Sequence, residues 1–176
     1  RGGPGRRRAG RPGRGLFAEL RAVWEISVEA FEEPLEQMEL LRKLAFLDKD
    51  ELSRPADAVE WFQRIRTIDE DDEEALQALV GLYEALARWP ELAESLEKLA
   101  GLTTDFREQT SIFLRLGDCL KERLQKPEKA VEAYREGLVG QTGRHVTIAD
   151  HPGTALERRK DLAVEVWERI KMGAAA

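Results

Sequence analysis

The 176-residue chain is long enough for one compact domain or a short array of repeated helices, and helix-forming residues dominate its middle. Its single cysteine excludes an intrachain disulfide, and no apolar run in the sequence is long enough for a membrane span. The net charge of −6 conceals six arginines without acidic residues in residues 1–15; subtracting them leaves −12 for the rest, which argues against a nucleic-acid-binding body.

The first fifteen residues are predicted to form a disordered tail, because they consist only of arginine, glycine, proline and alanine. The next segment, Leu16–Ala30, is predicted to be an orphan helix. In the pattern of helix pairs described below, this segment corresponds to the second helix of a pair. We therefore expect the first helix of that pair to lie upstream.

Three helix pairs follow, and each consists of two amphipathic stretches separated by a turn. A proline opens each second helix, where its missing N–H costs nothing. Gly101 stands where a glycine is favoured just after a helix end. The predicted pairs are Leu35–Leu52 with Pro55–Ile68, Glu73–Arg88 with Pro90–Leu102, and Phe106–Leu124 with Pro127–Leu138.

The end of the chain departs from this pattern. Glycines and a proline interrupt residues 140–153, which are therefore predicted to form a loop. A last amphipathic helix is predicted over Thr154–Met172, with Leu162 and Trp167 on its apolar face. The repeat array itself is placed at residues 16–139.

The three pairs are copies of one another. The first and third match at an offset of 72 residues, and the unit is about 34 residues long. Such repetition predicts a stacked helical array instead of a single globular core. The matching segments are Leu41-x2-Leu44-Ala45 with Ala58-x3-Phe62, Leu76-x2-Leu79-Val80 with Leu92-x3-Leu96, and Phe113-x2-Leu116-Gly117 with Ala130-x3-Tyr134.

This pattern resembles the tetratricopeptide repeat (TPR) family, and it is similar to the degenerate TPR arrays of large bacterial proteins. The first pair departs from the family at Asp48, where an aromatic residue is expected. The resemblance implies an all-α fold, an α-solenoid of antiparallel helix pairs wound into a right-handed superhelix. The third pair carries the best match, through Leu116, Gly117, Ala130, Tyr134 and Gly137.

The same resemblance implies a protein–protein interaction scaffold or adaptor, part of a larger protein, that holds a protein or peptide ligand in its concave groove. The alternative interpretation of the charged groove residues is that they are solvated surface charges. Apolar helix faces left open at the ends of the array also predict self-association. The groove residues implied by the family register are Arg42, Phe46, Lys49, Gln77, Glu84, Leu114, Asp118 and Lys121.

Two other functions stay open: an adaptor whose Arg-rich tail contacts nucleic acid, and an accessory domain of a multidomain enzyme. The sequence contains no phosphate loop or catalytic triad, so neither a cofactor nor catalysis is predicted. His145, Asp150 and His151 are interpreted as loop residues, because their spacing matches no metal motif. Cys119 is interpreted as a packing residue within a helix.

Overall fold

A computed structural model describes the backbone of residues 14–143 and the side chains of residues 15–137. Within that range the chain is all-α, as predicted, with seven α-helices and two π-helical turns. The predicted final helix and most of the predicted tail and loop lie outside the described residues. The α-helices are α1 (Arg14–Val28), α2 (Pro34–Phe46), α3 (Pro55–Ile68), α4 (Glu73–Ala85), α5 (Trp89–Leu102), α6 (Phe106–Asp118) and α7 (Pro127–Gly143), and the π-helical turns are Leu47–Glu51 and Cys119–Arg123.

Prolines and carboxylates set the helix starts. Pro55 and Pro127 are the first residues of α3 and α7. The Asp105 carboxylate accepts a hydrogen bond from the Glu108 N–H at 2.9 Å at the start of α6. Asp72 caps α4 in the same way, since its Oδ1 accepts from the Ala75 N–H at 2.7 Å. Each start therefore satisfies or removes one of the N–H groups that a helix leaves unpaired.

Gly101 and Gly140 do not have the helix-ending roles that the sequence suggests. Gly101 lies inside α5, which ends at Leu102. The Thr103 hydroxyl instead closes this end by donating to the Leu99 carbonyl at 2.8 Å. α7 continues to Gly143, beyond the predicted end at Leu138, because a glycine within a helix costs only about 1 kcal/mol.

The two π-helical turns reveal how the repeats differ in length. Leu44 precedes Ala58 by 14 residues and Leu116 precedes Ala130 by 14, whereas the equivalent Leu79 and Leu92 are 13 residues apart. The first and third pairs thus carry one additional residue between equivalent positions. A π-helical turn absorbs such a residue without ending the helix, and both turns occupy the same place in the repeat.

The connection after each first helix is also repeated. Ser53 and Gln125 adopt positive φ values of 56° and 53°, and Ala87 in the middle pair has a φ of 55°. In the middle pair the Arg88 N–H donates to the Tyr83 carbonyl at 2.9 Å, which closes α4 through the left-handed residue. The sequence repeat is therefore a repeat of turn geometry as well.

The chain divides into two compact units, residues 1–75 and 76–176, and α4 begins in the first and continues in the second. In the first unit α1 packs on α2, and α2 packs on α3. Leu41, Leu44 and Phe62 are fully buried there. In the second unit α6 packs against both α5 and α7, and Leu96 and Tyr134 are buried.

A buried carboxylate holds α1 on the first pair. The Asp48 side chain is 0% exposed and accepts from the Arg21 Nε at 2.9 and 3.0 Å. The Trp61 indole N–H donates to the same carboxylate at 2.7 Å. Burial alone would lower the pKa of Arg21, but the hydrogen bond and charge of Asp48 outweigh it and raise this pKa. The helix predicted to be an orphan is thus tied to its neighbours by a charged contact.

Candidate functional site

The eight groove residues predicted from the sequence fall in both units. The first unit contains three of them, and the second contains five. In the first unit they are Arg42, Phe46 and Lys49, and in the second they are Gln77, Glu84, Leu114, Asp118 and Lys121.

Arg42 is engaged within the first unit. Its guanidinium forms an ion pair with Asp72, the residue that caps α4, and its Nε lies 2.9 Å from the Glu74 carboxylate without hydrogen-bond geometry. Its side chain is neither fully solvated nor free for a ligand. It ties the connection before α4 to α2, which is a structural use of the charge.

Phe46 and Lys49 form an accessible pair on the first unit. The Phe46 side chain is 37% exposed, and its ring meets the buried Phe62 edge-on at 5.6 Å between centroids. The Lys49 ammonium lies 5.7 Å from the centre of the Phe46 ring. Together they present an aromatic ring and a positive charge to solvent.

The second unit contains a small cleft that brings two predicted residues together. The cleft encloses about 210 Å³ and is lined by α4, α5, α6 and the second π-helical turn, with Glu84 and Asp118 on its wall. Arg115 forms an ion pair with Glu84 at 3.0 Å. Asp118 accepts a hydrogen bond from the Tyr134 hydroxyl at 2.8 Å. The two carboxylates are therefore held in defined positions.

An aromatic and a second guanidinium complete this cleft. Trp89 lines it, and the Arg123 guanidinium lies 4.8 Å from the centre of the Trp89 ring. The surface thus combines both signs of charge with an aromatic side chain. This composition suits hydrogen-bonded recognition of another protein, in which aromatic and arginine side chains carry much of the binding energy.

Cys119 also lines the cleft and is buried, with its Sγ 3.7 Å from the Trp89 carbonyl oxygen. Burial raises the pKa of this thiol above its usual value; the nearby Arg123 lowers the pKa in part, and Glu84 raises it further. The protonated thiol is a poor nucleophile. Cys119 therefore packs against the start of α5, in agreement with its interpretation as a packing residue.

Of the five predicted residues in the second unit, three do not line the cleft. Gln77 is exposed on α4, Lys121 is half-buried, and Leu114 is 8% exposed. Of α6 and the second π-helical turn, the residues that line the cleft are Arg115, Cys119, Glu122, Arg123 and the predicted Asp118.

Arg115 and Glu122 are each one position later than the residues that the family register selects. For Glu122 the additional residue of the π-helical turn supplies a reason, because it rotates the positions that follow. A 14-residue spacing in the sequence is the signal that could have revealed it.

A metal-suited cluster and a membrane-spanning helix are both absent from the described part of the chain. Residues 14–143 contain no cluster of His, Cys, Asp and Glu suited to a metal, and no helix there is long and apolar enough to cross a membrane. His145, Asp150 and His151 lie outside the described residues, as does the Arg-rich segment before Arg14.

No protein-family model matches the sequence, and no curated protein matches it. Solved structures do share its architecture. A crystal structure of MamA is 19% identical with a TM-score of 0.51, and the match covers 92% of this chain and 91% of that one. A T3SS complex from Aeromonas hydrophila contains a chain 14% identical with a TM-score of 0.50, covering 93% and 96%.

A third similar structure contains TPR-like repeats. It is a putative kinesin light chain of Podosopora anserina with nearly identical TPR-like repeats, 16% identical with a TM-score of 0.51, and the match covers 94% of this chain and 91% of that one. At these identities the likeness establishes the fold, which agrees with the helix pairs and repeated turns described above. The chain therefore has an all-α repeat fold similar to that of these TPR-like structures.

Proposed function

We propose that this chain is a protein-binding scaffold and that the cleft of the second unit is a binding surface for a protein or peptide ligand. The observation that carries the proposal is the cleft itself, where Glu84, Trp89 and Arg115 converge on a preformed surface. The TPR-like fold supports it, because helical repeats present extended surfaces to partners.

Affinity capture on the immobilised chain, followed by mass spectrometry, tests this function. The informative variant exchanges the ion pair, Glu84→Arg with Arg115→Glu. Both side chains are about half exposed, so the intrachain pair can re-form at little cost in stability while the charge pattern inverts. We expect the proteins retained by the original chain to be lost from this variant.

A matched control exchanges another exposed pair, Glu39→Lys with Lys43→Glu on α2. It changes the same kind of contact outside the cleft, and we expect it to retain the captured proteins. An identical set of proteins on both exchanged variants, or no captured protein on the original chain, would argue against the proposed surface.

A second part of the proposal concerns self-association. The exposed fractions of Leu16, Val23 and Ile26 on α1 are 68%, 60% and 76%, and their spacing places them on one helix face. We expect Val23→Glu with Ile26→Glu to abolish any concentration-dependent increase in mass measured by light scattering. Ala18→Glu, on a different exposed stripe of α1, is the control.

A further inference from the structure

A second, larger groove lies in the same unit and shares no residue with the cleft. It encloses about 510 Å³ and is formed by one side-chain stripe from α5, one from α7, and a third that begins in α6 and continues through the second π-helical turn. The floor, here called the α6 floor, consists of Phe113 and Leu116 of α6, Leu120 of the second π-helical turn and Leu124 directly after it, which recur at helical spacing. Leu116 and Leu120 are buried, whereas Phe113 and Leu124 are half-buried, so the floor presents apolar surface along its length.

The two walls of this groove carry carboxylates. Glu94 and Glu97 project from α5, and Glu132 and Glu136 project from α7; all four side chains are exposed. Two walls of like charge on either side of an apolar floor repel each other weakly and attract a cation placed between them. The groove is therefore suited to an apolar segment bordered by positive charges on both sides.

The groove also has distinct ends. A Cβ on Gly137 would lie 3.2 Å from the Phe113 Cβ, which places neighbouring Glu136 at the Phe113 end. At the opposite end, Lys126 and Lys129 line the groove beside Leu124 and the start of α7. The Phe113 end thus carries the Glu136 carboxylate, and the Leu124 end carries two ammonium groups.

We infer that this groove binds a basic amphipathic segment of another protein. Such a segment, in helical form, lays an apolar stripe on the α6 floor and directs lysines or arginines toward the four wall carboxylates. Its basic residues lie toward the Phe113 end, and its negative or carboxyl-terminal end lies near Lys126 and Lys129. The inference adds a second partner surface to the scaffold and does not depend on the cleft.

A synthetic peptide probes this groove directly. It is a fluorescein-labelled helix of about 14 residues built from leucine, alanine and lysine, with leucines on one stripe and lysines on both flanks. Its acidic twin carries glutamate in place of each lysine. We expect fluorescence anisotropy to show binding of the basic peptide that weakens as salt is raised, and roughly tenfold weaker binding of the acidic twin.

Charge reversal on the chain then locates the peptide. Glu97→Lys with Glu136→Lys is expected to weaken binding of the basic peptide about tenfold, and Lys126→Glu with Lys129→Glu is expected to strengthen it. The control, Glu60→Lys with Glu108→Lys, changes net charge equally at exposed positions outside the groove. No binding of the basic peptide, equal binding of the two peptides, or an equal loss with the control would overturn the inference.

Discussion

The ring of Tyr134 on α7 occupies the space that a side chain on Gly117 of α6 would need. A Cβ built on Gly117 would fall 2.6 Å from the Tyr134 Cζ and still closer to two other ring carbons. Tyr134 is 1% exposed, and its hydroxyl is held by Asp118, so the ring cannot move aside easily. The small residue expected from the TPR resemblance is thus required by a specific aromatic contact.

Gly117→Ala is therefore expected to destabilise the chain by about 1–3 kcal/mol through overpacking. Gly81→Ala is the matched control: a methyl group at Gly81 of α4 would meet no described residue outside its own helical turn within 4 Å, and alanine gains up to about 1 kcal/mol within a helix. Thermal denaturation followed by circular dichroism should shift in opposite directions for the two variants. A shift of the same sign for both would refute the packing argument.

Asp48→Asn is expected to lower the free energy of unfolding by roughly 2 kcal/mol, because it weakens the charged hydrogen bonds from Arg21. Asp50→Asn, at an exposed position of the same π-helical turn, should have little effect. Hydrogen exchange of α1 should also accelerate in the Asp48 variant alone. Unchanged α1 exchange would show that Asp48 does not hold that helix.

Ala87→Gly is expected to raise the free energy of unfolding by about 0.5–1 kcal/mol, since glycine adopts the φ of 55° without the strain that alanine carries there. Ala85→Gly, two residues earlier in the last turn of α4, should lower it by up to about 1 kcal/mol. Chemical denaturation of the two variants measures both effects. A loss of stability in each would mean that the turn is not left-handed at Ala87.

The thiol of Cys119 is expected to react slowly with iodoacetamide in the folded chain, because burial raises its pKa and keeps it protonated at neutral pH. Unfolding in denaturant should accelerate alkylation at least about tenfold at the same pH. In the control variant, Gly101→Cys with Cys119→Ser, the new cysteine is exposed and should react at similar rates in the folded and unfolded chain. Equal rates for Cys119 before and after unfolding would show that the thiol is accessible.

The repeat register could be derived from the sequence because it depends on local spacing. The 72-residue offset pairs Ala45 with Gly117 and Phe62 with Tyr134, and all four residues are buried. The same offset also relates the two π-helical turns and the two left-handed residues Ser53 and Gln125. Helix ends were less predictable, since Gly101 and the glycines of α7 remain helical.

Contacts between distant segments could not be derived in this way. Asp48 looked like a departure from the family pattern, and only the fold brings Arg21 to it across 27 residues. Arg42 looked solvent-facing, yet it pairs with Asp72, 30 residues away. The family register selected Leu114, whereas the next residue, Arg115, lines the cleft. Such pairings depend on how helices pack, which residue type and spacing alone do not specify.

Hydroxyl-radical footprinting of the chain with and without a captured partner tests the proposed binding surface most directly. Trp89 in the cleft and Phe113 in the larger groove are both half-buried aromatic residues of the second unit, so each reports on one surface. We expect the partner to protect Trp89 from oxidation and to leave the oxidation of Phe113 unchanged. Unchanged oxidation of Trp89 in the complex would contradict it.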